Sequence, residues 1–354
     1  MSAAESPVVL EVRRLHVDIR AASAVVHPVR DVSFQVRRGE TLCIVGESGC
    51  GKSMTSLALM GLLPRAALRR AQALDFLGED LLQASASRTN ALRGDRMAMV
   101  FQEPMTALNP AYTIGEQLVE HYRHHRGASL AQARERAVEL LHKVGIASAA
   151  ERLRQYPHQL SGGLRQRVMI AMALMCAPEL LIADEPSTAL DVTIQAQILR
   201  LLADLQRELG IAMVLITHDL GVVARIADRV AVMYAGQVVE EGTAAEIFAR
   251  PRHPYTRGLL ECIPVPGRTA PGSRLGSIPG VVPSLAGELR GCAFRARCPQ
   301  AQSACLQEIA LREAGAGRRW RCVIDEESVI PAQAEIQNAL GPDLRGDKAR
   351  RVVQ

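Results

Sequence analysis

The residues best placed to do chemistry lie in the run Gly46-Glu47-Ser48-Gly49-Cys50-Gly51-Lys52-Ser53, which fits the phosphate-binding pattern G-x-x-x-x-G-K-[ST]. Gly46, Gly49 and Gly51 let the backbone turn tightly, so that successive N–H groups and a helix N-terminus face an anion. Lys52 supplies a point charge for the β- and γ-phosphates of a nucleotide, and Ser53 a hydroxyl for Mg2+. The pattern requires a strand before it and a helix after it. Residues 41–45 are strand-like and residues 53–63 helix-like. The competing reading is a glycine-rich strand-to-helix turn without a ligand.

Leu180-Leu181-Ile182-Ala183 is a continuous apolar run of the kind buried on both faces of a sheet, and it ends in Asp184-Glu185. Carboxylates at the carboxyl end of a parallel strand sit where open α/β sheets bind ligands. Asp184 can orient hydrated Mg2+, and Glu185 can polarise an attacking water. Residues 212–217 repeat the pattern and end in His218-Asp219. A lone strand-end histidine is more often structural than catalytic, but here four strand ends converge on phosphate chemistry. Leu160-Ser161-Gly162-Gly163 leads into an apolar helical run over residues 168–176. That makes a second anion-ready helix N-terminus with Ser161 as hydroxyl donor, although Ser-Gly-Gly also occurs in linkers.

Other segments must position these residues. Residues 8–19 and 29–36 alternate apolar and polar side chains and form a plausible antiparallel hairpin. Between Glu11 and Ser33 there is no Phe, Tyr or Trp, which matters because adenine usually stacks on a flat side chain. Residues 72–102 read as a second strand region ending in polar Gln102, and residues 114–155 as a helical subdomain. The histidine-rich run at residues 121–126 is read as a solvated helix end rather than a metal site. The chain has 354 residues, enough for one large α/β core with an appended module. Hydrophobic residues make up 48% and charged residues 22%, which argues against bulk disorder. There is no apolar run long enough to span a bilayer, and no basic-then-apolar leader around Glu5 and Glu11, so a cytosolic location is expected. A net charge of +5 spread along the chain argues against a dedicated nucleic-acid binder.

Taken together, the phosphate loop, Gln102, the run Leu160-Ser161-Gly162-Gly163, Asp184-Glu185, residues 187–191 and His218 resemble, in order and spacing, the ATP-binding subunits of ABC transporters. The resemblance covers about residues 8–241. Gln102-Glu103-Pro104-Met105-Thr106-Ala107-Leu108-Asn109-Pro110 and Thr217-His218-Asp219-Leu220-Gly221-Val222-Val223 look like the oligopeptide/dipeptide (and nickel) importers, specifically the first of their two ATPase subunits. Arg252-His253-Pro254-Tyr255-Thr256-Arg257-Gly258 and Gly291-Cys292-Ala293-Phe294 are similar to the C-terminal extension of that group. The sequence departs from the family at Leu164, Cys50 and Ser187, where Met, Ser and Thr are usual, and in the missing aromatic before the phosphate loop.

The resemblance implies an α/β fold of the P-loop NTPase, ABC type: a mixed sheet core, an antiparallel β subdomain and a helical subdomain, with a small cysteine-containing C-terminal extension. It places the ATP-binding domain at residues 8–250, with its helical part at about 103–165, and the extension at 251–325. Residues 326–354 match nothing in the family and are expected to be a disordered tail. The cofactors implied are ATP and Mg2+. Residues 46–53 would hold the phosphates, Ser53, Gln102 and Asp184 the metal, and Glu185, His218 and Gln102 would act in hydrolysis. Ser161, Gly162 and Gly163 would act in trans on the ATP of a second, homologous ATPase subunit, with a heterodimer expected. The other partners would be two membrane permeases and, indirectly, a substrate-binding protein, with no nucleic acid. The chain would then lie on the cytoplasmic face of the bacterial inner membrane and power peptide import. Nickel or glutathione import is the alternative, as is a soluble ABC-type ATPase acting on ribosomes or DNA. Adenine stacking is left to His16, His27, an apolar surface or the partner chain.

Eight cysteines are unevenly spread, five of them in the last third. Cys292, Cys298, Cys305 and Cys322 follow the spacing Cys-x5-Cys-x6-Cys-x16-Cys. Four thiolates can hold a cubane cluster or a structural zinc, and zinc ribbons favour closer pairs. The importer extension, where such cysteines hold a 4Fe-4S cluster, points to the cluster. Four buried free thiols are the competing reading.

Overall fold

The structure is a computed structural model and describes residues 6–21, 24–103, 107–187, 190–263, 276–315 and 317–324. The chain opens with two long strands, β1 (Val8–Arg20) and β2 (Val25–Arg37), paired antiparallel. β3 (Thr41–Val45) follows, then α1 (Lys52–Met60), β4 (Ala67–Arg70), β5 (Ala73–Phe76) and β6 (Glu79–Asp80). A short helix, α2 (Ala86–Leu92), precedes β7 (Met97–Val100). The helical part comprises α3 (Ile114–Arg126), α4 (Leu130–Lys143) and α5 (Ala149–Arg152), and it leads into α6 (Gly162–Leu174). β8 (Leu180–Asp184), α7 (Val192–Leu209), β9 (Ala212–Ile216) and α8 (Leu220–Ile226) alternate as in a parallel α/β fold. Next come β10 (Arg229–Tyr234), β11 (Gln237–Thr243), α9 (Ala244–Ala249) and α10 (Pro254–Glu261). A small hairpin, β12 (Arg312–Ala314) and β13 (Arg318–Trp320), closes the described chain.

Among the described residues two sheets form. β1 lies between β2 and β5 in an antiparallel sheet that also includes β6 and, paired with β1, β4. The larger sheet runs β12-β13-β11-β10-β3-β9-β8-β7. Its strands β10, β3, β9, β8 and β7 run parallel, with β7 at the edge. β3, β7, β8 and β9 are buried at every residue, which explains their unbroken apolar runs: both faces of a parallel sheet are covered. One face packs on the antiparallel sheet through Leu42, Ile44, Val214 and Ile216, and the other on the helices through Cys43, Val45, Met213 and Leu215. Each fully buried Leu or Ile contributes roughly 1.5–3 kcal/mol, so this two-sided core outweighs local propensity in setting the strand order.

Local chemistry sets the helix ends. Thr113 and Glu116 form a reciprocal capping box at α3, and Ser129 and Gln132 form another at α4. Gly127, in a left-handed conformation at φ 62°, ends α3. The sequence reading of residues 72–102 as strands missed α2. Ser85 caps that helix, but Leu92 is its only buried residue, so it carries no apolar period to read. The glycines at 162 and 163, expected just ahead of a helix, form its first turn. Within the extension at 251–325, residues 264–275 lie outside the described residues, as does the tail at 326–354.

The C-terminal region joins the main sheet through two buried carboxylates on β11. Glu240 accepts from the backbone N–H groups of Arg252 (2.7 Å) and His253 (2.8 Å), and Glu241 pairs with Arg229 and Arg319. β13 pairs antiparallel with β11 at these same residues, so the hairpin covers part of the sheet edge.

Candidate functional site

The parallel register brings the carboxyl ends of β3, β9, β8 and β7 side by side. Ile44 lies opposite Ile216, Asp184 opposite Ile216, and Val100 opposite Ala183. The chain leaves β3 into the glycine loop, β8 into Glu185, β9 into His218 and β7 into Gln102. The four sequence-expected strand-end groups thus share one edge of the sheet.

Two loop glycines have no substitute. Gly51 precedes α1 at φ +102°, and a Cβ there would lie 2.0 Å from the carbonyl oxygen of Pro28. At Gly46 a Cβ would come 2.1 Å from the carbonyl oxygen of Met233. The loop therefore packs directly on the backbones of β2 and β10. Lys52 is buried, and its Nζ donates to the carbonyls of Gly46 (2.9 Å) and Glu47 (3.1 Å), across the loop from Glu185 Oε1 at 3.8 Å. Gly49 and Cys50 complete the turn at φ +79° and in the core, respectively.

Ser53 Oγ donates to Asp184 Oδ1 (3.0 Å), and Ser56 Oγ donates to Asp184 Oδ2 (2.9 Å). Burial pushes the Asp184 carboxyl above the usual carboxylate range, against the pull of the two hydroxyls. Ser56 was not singled out from the sequence. Its signal is the three-residue spacing from Ser53, which puts both hydroxyls on one face of α1.

Glu185 sits at φ +44°, in the left-handed region that a non-glycine residue rarely occupies. Its N–H donates to the carbonyl of Ile216 (2.9 Å), which fixes the turn. The carboxylate is mostly shielded and faces three groups: Lys52, Gln102 Nε2 at 3.3 Å and His218 Nδ1 at 3.6 Å. The adjoining Glu185 carboxylate raises the His218 pKa above its ordinary value, against partial burial. This side chain is thus held as an acceptor between a cation, an amide and an imidazole.

Ser161, Gly162 and Gly163 lie elsewhere. Ser161 caps α6 by accepting from the N–H of Leu164 (3.4 Å). Ser161 and Gly162 are exposed, and a Cβ added at Gly162 or Gly163 would meet Leu190 or Ile194, respectively, rather than the phosphate loop. Of the two histidines considered for adenine, His27 Nδ1 lies 2.6 Å from Asp18 Oδ1, and burial lowers the pKa of His16.

Tyr255 and Arg297 reach the loop from the C-terminal region, and the sequence reading did not single them out. The N–H of Glu47 donates to Tyr255 Oη (2.8 Å). Arg297 donates to both Glu47 carboxylate oxygens, at 2.7 and 3.0 Å. Only the His253-Pro254-Tyr255 run hinted at the first, and nothing local signals the second across 250 residues.

The iron–sulfur expectation is corrected. Among the described residues no group of three or more His, Cys, Asp or Glu side chains is arranged to hold a metal ion. Cys292, Cys298, Cys305 and Cys322 are free, Cys305 and Cys322 being buried and the other two half-buried. Burial pushes the Cys292 thiol up to about 11 and raises those of Cys298 and Cys322. The region also has apolar packing of its own. Phe294 packs at 5.3 Å from the ring of Tyr234 and 5.4 Å from that of Tyr255, beside the main core.

Comparison with known proteins fits this geometry. The family model described as ABC transporter matches residues 29–188, and the model described as oligopeptide/dipeptide transporter, C-terminal region, matches residues 239–305. A probable peptide ABC transporter ATP-binding protein of Sinorhizobium fredii is 49% identical over 92% of this chain and 97% of its own length. The dipeptide transport ATP-binding protein DppD of Escherichia coli is 50% identical over 88% of this chain and 95% of its own. Among solved structures, the ATP-binding cassette MJ0796, a dimer in a post-hydrolysis state bound to ADP and Pi, is 28% identical, with a TM-score of 0.60 over 66% of this chain and 98% of that one. With the strand-end groups gathered on one sheet edge and relatives matched along nearly their whole length, the chain belongs to the ATP-binding, ATP-hydrolysing subunits of ABC transporters, in the oligopeptide/dipeptide group.

Proposed function

We propose that this chain binds and hydrolyses ATP to power the import of di- or oligopeptides through a membrane permease, as the first of two ATPase subunits. The observation that carries the reading is the Glu185 carboxylate facing Lys52, Gln102 and His218, one residue beyond an Asp184 that is hydrogen-bonded to Ser53. The loop N–H groups of residues 46–53 and the α1 N-terminus cradle the phosphates, and Lys52 adds its charge to them. Ser53 Oγ and Asp184 Oδ1, hard oxygen donors 3.0 Å apart, suit Mg2+, with Gln102 offering its amide oxygen. Held by these residues, Mg2+ would supply neutralisation of the developing phosphate charge. Asp184 is committed to this pair, which leaves Glu185 as the carboxylate able to take a proton from water. His218 steadies that carboxylate and the γ-phosphate side.

The exposed α6 N-terminus at Ser161, Gly162 and Gly163 supports a second role: closing on the ATP held by a partner ATPase subunit. Among the described residues no helix is long and apolar enough to cross a membrane, which agrees with a peripheral place on the inner face of the bacterial cell membrane, against permease subunits. Peptide as cargo rests on the peptide and dipeptide importers among the relatives. Uptake of labelled dipeptide in cells lacking this chain tests the reading. Wild-type chain should restore uptake and Lys52→Ala should not, while a transport defect confined to another solute would refute the peptide assignment.

A further inference from the structure

The phosphate loop carries a carboxylate, Glu47, where a phosphate cradle would be expected to avoid one. A negative charge beside bound triphosphate is repulsive unless it is paired. The pairing comes from outside the ATP-binding core. Arg297 grips both oxygens of Glu47 in a bidentate fork, at 2.7 and 3.0 Å, the geometry in which guanidinium and carboxylate bind best. The fork is itself fixed: Arg297 is 4% exposed at its side chain and donates to the carbonyls of Pro279 (2.8 Å) and Ile278 (3.0 Å) and to Tyr234 Oη (3.4 Å). Tyr255, fully buried on α10, takes the Glu47 N–H. The Glu47 carbonyl in turn accepts from Lys52 Nζ. A continuous line of contacts thus runs from the C-terminal region, through Glu47, to the ammonium that meets the phosphates.

We propose that Arg297 is a positioning residue for the phosphate loop: it neutralises and orients Glu47, so that the C-terminal region sets the affinity of the site for nucleotide. This rests on residues 46–53 binding ATP. Titration of the full-length wild-type chain with a fluorescent ATP analogue and Mg2+ tests that reading on its own, before any variant is compared. Given wild-type binding, Arg297→Ala should raise the Kd by about tenfold, the size typical of an unpaired charge within one coupled network. Arg297→Lys, which keeps charge but loses the fork, should fall between the two. The discriminating variant is the pair Glu47→Gln with Arg297→Ala: once the carboxylate is gone, its partner is no longer needed, and the Kd should return to within about threefold of wild type. Arg295→Ala removes contacts confined to Arg290 and Cys292 and should leave the Kd unchanged. In the assembled transporter Arg297→Ala should raise KM for ATP while kcat at saturating ATP is largely kept. An unchanged Kd in Arg297→Ala, a double variant as weak as that single one, or an equal loss in Arg295→Ala would each overturn the proposal.

Discussion

Replacing His253 by Asn should change how stability depends on pH more than it changes stability itself. His253 is 1% exposed, and its Nδ1 accepts from the N–H of Tyr255 (3.1 Å) while its own N–H donates to buried Glu240. A proton on Nδ1 would break the cap of α10. Burial, with the Arg257 charge adding to it, depresses the His253 pKa to about 3. In the unfolded chain it titrates near the ordinary value of about 6.5. Between these two values the unfolded state binds the proton and the folded state does not, so stability is full above about pH 6.5 and is lost as pH falls. At pH 5 the loss from this one group is about 2 kcal/mol, 1.5 pH units at about 1.36 kcal/mol each. Asn caps a helix as well as any residue and does not titrate. Urea unfolding of both proteins at pH 8, 6.5 and 5 measures the difference. His253→Asn should start lower, because the ring loses its place beside Phe294, yet fall by about 2 kcal/mol less between pH 8 and pH 5. Parallel pH profiles would refute the reasoning.

Other substitutions separate the parts of the site. Gly51→Ala, which puts a Cβ 2.0 Å from a backbone oxygen at φ +102°, should abolish binding of a fluorescent ATP analogue, and retained binding would show that the loop can shift. His218→Ala should lower kcat about a hundredfold or more while the Kd for ATP stays within about twofold, since the ring touches Glu185 and not the loop; a matching rise in Kd would contradict that role.

The gathering of the phosphate loop, Gln102, Asp184, Glu185 and His218 at one end of the sheet was legible in the sequence because its parts are local. Residues 180–183 and 212–216 read as buried strands because both faces of the parallel sheet are covered, and the groups that follow them must then emerge at the carboxyl edge. The left-handed turn at Glu185 and the Ser56 contact depend on three-dimensional neighbours and are silent in the text. The C-terminal region was the least legible. Cysteine spacing suggested a metal cluster, whereas Phe294, Tyr234 and Tyr255 pack there as an aromatic core drawn from three distant segments. Glu240 and Glu241 are fully buried, because Arg229, Arg319 and the backbone N–H groups of Arg252 and His253 reach them from other segments. Contacts over such separations leave no periodicity to read.

The division of labour between Asp184 and Glu185 is most directly tested by Glu185→Gln. The substitution keeps the size of the side chain and its place at the end of β8 but removes its capacity to take a proton. ATP affinity of the chain should stay within about threefold of wild type, because the groups proposed to hold the phosphates, the loop, Lys52 and the Ser53–Asp184 pair, are unchanged. Steady-state hydrolysis by the transporter assembled with its partner subunits should fall by about a hundredfold to ten-thousandfold, the range for loss of a general base. Hydrolysis at the wild-type rate in that variant, with ATP bound, would contradict the assignment of Glu185 and with it the chemistry read from this site.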